Sequence, residues 1–240
     1  MLDYFVPYNQ ASMNPEEDNV DLGTGGPLLI PNTTLLVGGG KDAVLRVVDT
    51  TNMGKYNSVQ NNNHQNLIGA TNPPIFGSPI YWDSPNLGPL IYMWGQADYA
   101  KAWSYNAGTT LLSTTPAMES TFEGTAGWND QAALSISANG STTGTGLLWA
   151  SMPYSGISNP GPVPGILYAL DATNLQTMLW SSQLNAARDA VGNYAKFVPP
   201  TVVNGKVYLA TFSGELVAYG LNPPASTQVS FVQVLSLIHI

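Results

Sequence analysis

The chain has no cysteine. Disulfide scaffolds, cysteine-ligated zinc and iron–sulfur clusters are therefore excluded. Basic side chains are scarce as well: 7 Lys and Arg stand against 15 Asp and Glu, giving a formal charge of −8 and a pI near 4.4. Such a chain cannot present the basic stripe that nucleic acid requires. Charge of either sign is low, 9% of residues against roughly 25% in an average soluble domain. No uninterrupted apolar run approaches the roughly 18 residues of a membrane-spanning helix. The start, Met1-Leu2-Asp3-Tyr4, carries neither a basic leader region nor an apolar one, so export is expected to depend on a leader upstream.

What replaces charge is glycine (24), proline (18) and neutral polar residues, on a chain that is 44% hydrophobic. That mixture supplies turns and a neutral surface, as in all-β proteins that work outside the cytoplasm. Both ends look cut. The final hexapeptide Leu235-Ser236-Leu237-Ile238-His239-Ile240 resembles a translated sequencing-library adapter, and His239 is given no functional weight. The expectation is a fragment of a larger reading frame.

A unit recurs along the chain. It consists of an apolar strand, a turn, a second strand of small and aromatic residues, and a turn bearing Asp or Asn. Copies run from Leu35 to Gly54, from Ile91 to Gly108, from Gly165 through Leu175 to Trp180, and from Lys206 to Gly220. A further short strand precedes each copy: Gly26–Ile30, Gly77–Trp82, Ala133–Ser137 and Val198–Val203. Asn139-Gly140 and Asn204-Gly205 read as hairpin turns, because Asn-Gly accommodates the positive φ angles of a type I′ turn. The turn positions Asp49, Asn106 and Asp171 are 57 and 65 residues apart. Spacing near 50 with several strands per unit predicts an all-β chain, a β-propeller of about four four-stranded blades and part of a larger propeller. The inserts 55–72 and 152–164 read as surface loops on one face.

The segment from Leu167-Tyr168-Ala169-Leu170-Asp171-Ala172-Thr173 to Trp180 resembles the blade motif of the pyrroloquinoline-quinone (PQQ)-like propellers. Lys196-Phe197-Val198-Pro199 and Val202-Val203-Asn204-Gly205-Lys206 resemble a blade opening of the same family. The resemblance implies that the tryptophan docks between adjacent blades and the aspartate ties down its turn. The expected division is a connector or end of a preceding blade (1–23), the blades (24–221) and a tail (222–240) whose last residues read either as an artefact or as a real strand cut short. Quinoprotein dehydrogenases of this kind hold PQQ and calcium with a stacked tryptophan, a cysteine pair and a catalytic aspartate. This chain lacks the cysteines, and only one copy keeps both aspartate and tryptophan. No cofactor is expected in the fragment; PQQ and calcium belong to the full-length alternative.

Candidate site residues are few. Arg188 and Lys196 flank the entry to the last inner strand, where two of seven basic groups could hold an anion such as a PQQ carboxylate; the plainer reading pairs Arg188 with Asp189. Trp128 lies in a loop and could stack on a quinone or a sugar ring, whereas Trp82, Trp94, Trp103, Trp149 and Trp180 fall in strands and read as core. Glu119, Glu123 and Asp130 are the carboxylates available for glycoside cleavage. Glu16-Glu17-Asp18 with Asp21 reads as a solvated loop, and His64 as a surface histidine. The expected function is a secreted or periplasmic scaffold that binds a protein or carbohydrate partner and associates with itself through open blade edges. The alternatives are a quinoprotein dehydrogenase fragment and a carbohydrate-binding or carbohydrate-cleaving propeller.

Overall fold

A computed structural model describes residues 2–13, 20–125, 127, 130–159, 161–221 and 231–235, the last of these by their backbone. Strand β1 (Phe5–Val6) and the short helix α1 (Gln10–Met13) come first. The first sheet then begins with β2 (Leu28–Leu29), β3 (Leu35–Gly39) and β4 (Leu45–Asp49). Strand β5 (Lys55–Tyr56) pairs parallel with β1, and β6 (Gln65–Leu67) closes the first sheet against β4. The second sheet comprises β7 (Ile80–Ser84), β8 (Gly88–Trp94), β9 (Tyr99–Asn106), β10 (Leu111–Leu112) and β11 (Met118–Glu123), the last two both pairing with β9. The third is a meander of β12 (Ala133–Ser137), β13 (Leu147–Pro153), β14 (Gly165–Asp171) and β15 (Asn174–Ser181). Helix α2 (Ala186–Asp189) leads to the fourth sheet: β16 (Thr201–Val203), β17 (Lys206–Ala210), β18 (Leu216–Leu221) and β19 (Phe231–Leu235).

The sheets pack face to face in chain order, which explains why their central strands read as continuous apolar runs. Side chains on a strand alternate between faces, and here each face meets a neighbouring sheet. In β8, Ile91 and Met93 join Val37, Leu45 and Val47 of the first sheet in one core. Leu90, Tyr92 and Trp94 face the other way, onto Leu148, Ala150 and Ile166 of the third sheet. In the third sheet, Trp149, Leu167, Ala169 and Trp180 turn toward Val207, Leu209, Val217 and Tyr219 of the fourth. Three such seams join four antiparallel sheets, and the architecture is that of propeller blades.

Trp180 meets Trp149 of its own sheet edge-on at 6.4 Å and Tyr219 of the fourth sheet at 5.4 Å, the second contact crossing the seam. The turn aspartates act as the motif implies. Asp171 accepts hydrogen bonds from the amide and hydroxyl of Thr173, both 2.7 Å. Asp49 does the same for Thr51 at 2.9 and 2.8 Å, and Asn106 accepts from the amides of Gly108 and Thr109. All five tryptophans assigned to the core are buried.

Three expectations need correction. The copy from Gly165 to Trp180 spans the third and fourth strands of its sheet, whereas the other copies span the second and third. Its true second strand, β13, begins five residues before the position read as an insert. Asn139-Gly140 is not a two-residue turn: β12 and β13 are joined by the loop 138–146, closed where Thr145 Oγ1 accepts from the Asn139 amide at 3.0 Å and donates to the Thr142 carbonyl. Asn204-Gly205 does form the tight turn, with φ of 51° and 70°. Finally, Phe231–Leu235 extends the fourth sheet beyond the expected boundary at 221, pairing antiparallel with β18.

Candidate functional site

In a four-stranded meander the loop between the second and third strands emerges at the same end as the connection to the next sheet. Those loops and connections are tied together here. The Tyr194 amide donates to the Val163 carbonyl at 2.9 Å, Phe212 to Asn193 at 2.9 Å, and Ala97 to Thr125 at 3.1 Å. Successive connections are also joined to each other through Gln131. Its side-chain oxygen accepts from the Phe76 amide, and its carbonyl accepts from the Tyr194 hydroxyl at 2.9 Å. Phe76 and Phe197 bring the first and third connections within 6.4 Å, ring to ring. Gly77 lets this contact form closely: a Cβ there would meet the end of the Gln131 side chain, which would have to shift.

Between the loop 154–164 and the last connection lies a hollow of about 350 Å³, lined by Ser158, Pro162, Tyr194, Lys196 and Phe212. Lys196 has no carboxylate within ion-pair distance among the described residues. Phe212 is 66% exposed, so the mouth is apolar, and the only charged side chain on the described lining is Lys196. The carboxylates nearby are occupied. Asp130 is fully buried and accepts from the Ser158 amide at 3.1 Å and from its hydroxyl. Asp189, also fully buried, accepts two hydrogen bonds of 2.7 Å from Arg188. That contact keeps the guanidinium more firmly protonated than usual. Asp98 pairs with Lys101 at 2.8 Å. Burial, reinforced by the charge of Asp130, raises the Tyr194 phenol well above its ordinary value.

The structure places Lys196 on the hollow and leaves Arg188 off its lining, engaged by Asp189. Trp128 lies outside the described residues, as do Glu16, Glu17 and Asp18. Asp21 pairs with Lys41 at 2.6 Å. Glu119, Glu123 and Asp130 do not converge. The two glutamates sit on β11, the outer side of the second sheet, where Glu123 pushes the Tyr99 phenol up, while Asp130 is buried against Ser158. The three carboxylates available for glycoside cleavage are therefore not brought together: only Asp130 lies in an inter-sheet connection. His64 is exposed and shares its Nε2 with the carbonyl and hydroxyl of Thr110 at 2.9 and 3.0 Å. Gln131, Phe76 and Phe212 were not legible as site residues, because their contacts cross 19 to 121 residues of chain and leave no local signature.

The carboxylates of PQQ would need several cations, and the hollow offers one; no group of three or more His, Asp or Glu side chains that could hold a metal occurs among the described residues.

No family model matches the chain, and no curated protein matches it. Among solved structures it is similar to the crystal structure of BamB from Moraxella catarrhalis, with 14% identity and a TM-score of 0.43. The likeness covers 81% of this chain and 45% of that one, so the chain spans less than half the length of that structure. No helix among the described residues is long and apolar enough to cross a membrane.

Proposed function

We propose that the chain is a propeller segment acting outside the cytoplasm as a binding and assembly scaffold, with no catalytic step of its own. The observation that carries this reading is the hollow: a lysine without a carboxylate partner among the described residues, set among Phe212, Pro162 and Tyr194, in a protein of net charge −8. One cation in an apolar surround suits an acidic side chain next to an apolar one on a partner protein. The bonds that engage Asp130, Asp189 and Asp98 support a structural role for the neighbouring carboxylates. The same reading includes self-association through the outward faces of the first and fourth sheets, where Leu29, Val203 and Leu216 are exposed.

The test uses a fluorescent peptide carrying an Asp-Phe pair and a Lys-Phe control. Binding of the first, weakened at least tenfold by Lys196→Glu and unchanged by Lys206→Glu on β17, is the expected result. Equal binding of both peptides, or indifference to Lys196→Glu, contradicts it. Light scattering checks association: a mass above the 25.5 kDa of one chain at micromolar concentration is expected, and a clean monomer removes that part.

A further inference from the structure

The outward face of the first sheet holds a second cavity, away from the loops. On that face β3 and β4 present Leu36, Gly38, Arg46 and Val48, the residues that alternate with the seam set. The segment before the sheet is stapled across it. Lys55 donates its amide to the Tyr4 carbonyl at 2.9 Å, Met53 donates to the Asp3 carboxylate at 2.7 Å, and the Lys41 amide donates to the Asp21 carbonyl at 2.9 Å. Between staples and sheet remains a cavity of about 270 Å³, walled by Phe5, Leu22, Pro27, Leu36, Val48 and Met53. Gly23 and Gly38 border it without side chains of their own.

Among the described residues, one charged side chain, Arg46, lines this cavity. Arg46 is 4% exposed and gives its two terminal nitrogens to Asp42, at 3.1 and 2.5 Å. Its Nε–H is buried and has no acceptor. A buried donor left unmade is costly, by about 1–3 kcal/mol or more for a charged group, so an acceptor delivered into the cavity gains more than one at the surface. Asp42 already neutralises the guanidinium. A second carboxylate would therefore bring an uncompensated charge into an apolar space, whereas a carbonyl oxygen satisfies the single free N–H without one.

We propose that this cavity is a binding site for a small neutral carbonyl compound, with the oxygen on Arg46 Nε and an apolar body against Phe5, Leu36, Val48 and Met53. A cavity of about 150 Å³ holds benzene, so this one takes on the order of ten heavy atoms.

The chain has two arginines, Arg46 and Arg188, so an arginine Nε–H correlation spectrum contains two signals, assigned by Arg188→Lys. Three probes of matched size separate the readings: acetophenone, ethylbenzene without an acceptor, and benzoate with a charge. Acetophenone is expected to move the Arg46 signal saturably at about millimolar concentration, leaving the Arg188 signal in place. Ethylbenzene and benzoate are expected to bind at least about tenfold more weakly. Gly38→Ala adds a methyl that meets Pro27 at ordinary contact distance, 3.6 Å. It should leave the thermal midpoint unchanged while weakening acetophenone severalfold. An unmoved Arg46 signal, equal affinity for ethylbenzene, preference for benzoate, or indifference to Gly38→Ala each overturns the proposal.

Discussion

The seam between the second and third sheets and the outward face of the first sheet are built from the same kind of strand, yet they differ in what they tolerate. In the seam Trp94 is fully buried, with Phe122 and Tyr168 at 5.4 and 6.2 Å and its indole N–H satisfied by the Asp98 carbonyl at 2.8 Å. Tyr92 crosses the same seam to give its hydroxyl to the Ala172 carbonyl at 2.7 Å. Every polar tip named there is met. The outward face instead accepts an arginine with an orphaned donor, a glycine-rich lining and an unfilled space. Where two sheets face each other, packing dictates each side chain. Where a sheet faces a peptide strap, room and polarity survive, and that is where a ligand can be received.

This contrast is open to direct attack. The largest effect is expected from Trp94→Ala, at about 3–5 kcal/mol. That is a large part of a typical total of about 5–15 kcal/mol, so the urea midpoint should fall steeply or folding should be lost. A closer comparison uses neighbours on β4. Val47 is fully buried on a seam, and Val48 borders the cavity. Val47→Ala should cost about 2 kcal/mol and Val48→Ala about 1, because the second site is already incompletely packed; equal losses would erase the distinction.

Tyr92→Phe should cost about 1 kcal/mol at neutral pH and change the alkaline behaviour. Burial, aided by the charge of Asp171, raises its phenol above the ordinary value near 10. The folded state holds that proton more tightly than the unfolded one. The stability involved is thus complete below about pH 10 and is lost as pH rises further. Alkaline unfolding of the variant, followed by circular dichroism, should show a weaker loss above pH 10. The smallest effect is expected from Asp171→Ala, about 0.5–1.5 kcal/mol from the Thr173 contacts, read as a shift in thermal midpoint.

The blades were legible because their signals are local. Alternating burial on both faces turns 89–94 into an unbroken apolar run, and the turn residues Asp49, Asn106 and Asp171 recur where third strands end. Phase was harder. In the third sheet the most family-like stretch is a third strand followed by a fourth, and the glycine- and threonine-rich loop 138–146 masks the strand that follows it. The site was legible only at Lys196. Gln131 bonds to partners 55 and 63 residues away, and Arg46 differs from a surface arginine only through the chain folded over it. Neither leaves a pattern within reach of a local reading.

The central claim is that the inner seams are held by full two-sided burial and the outward faces are not. Native-state hydrogen exchange measures this strand by strand. The amides of β8, β13 and β14 should be the slowest, exchanging only through global unfolding, with β3, β4, β17 and β18 opening at lower free energy. Equal protection of the first and fourth sheets, or slowest exchange there, would contradict it.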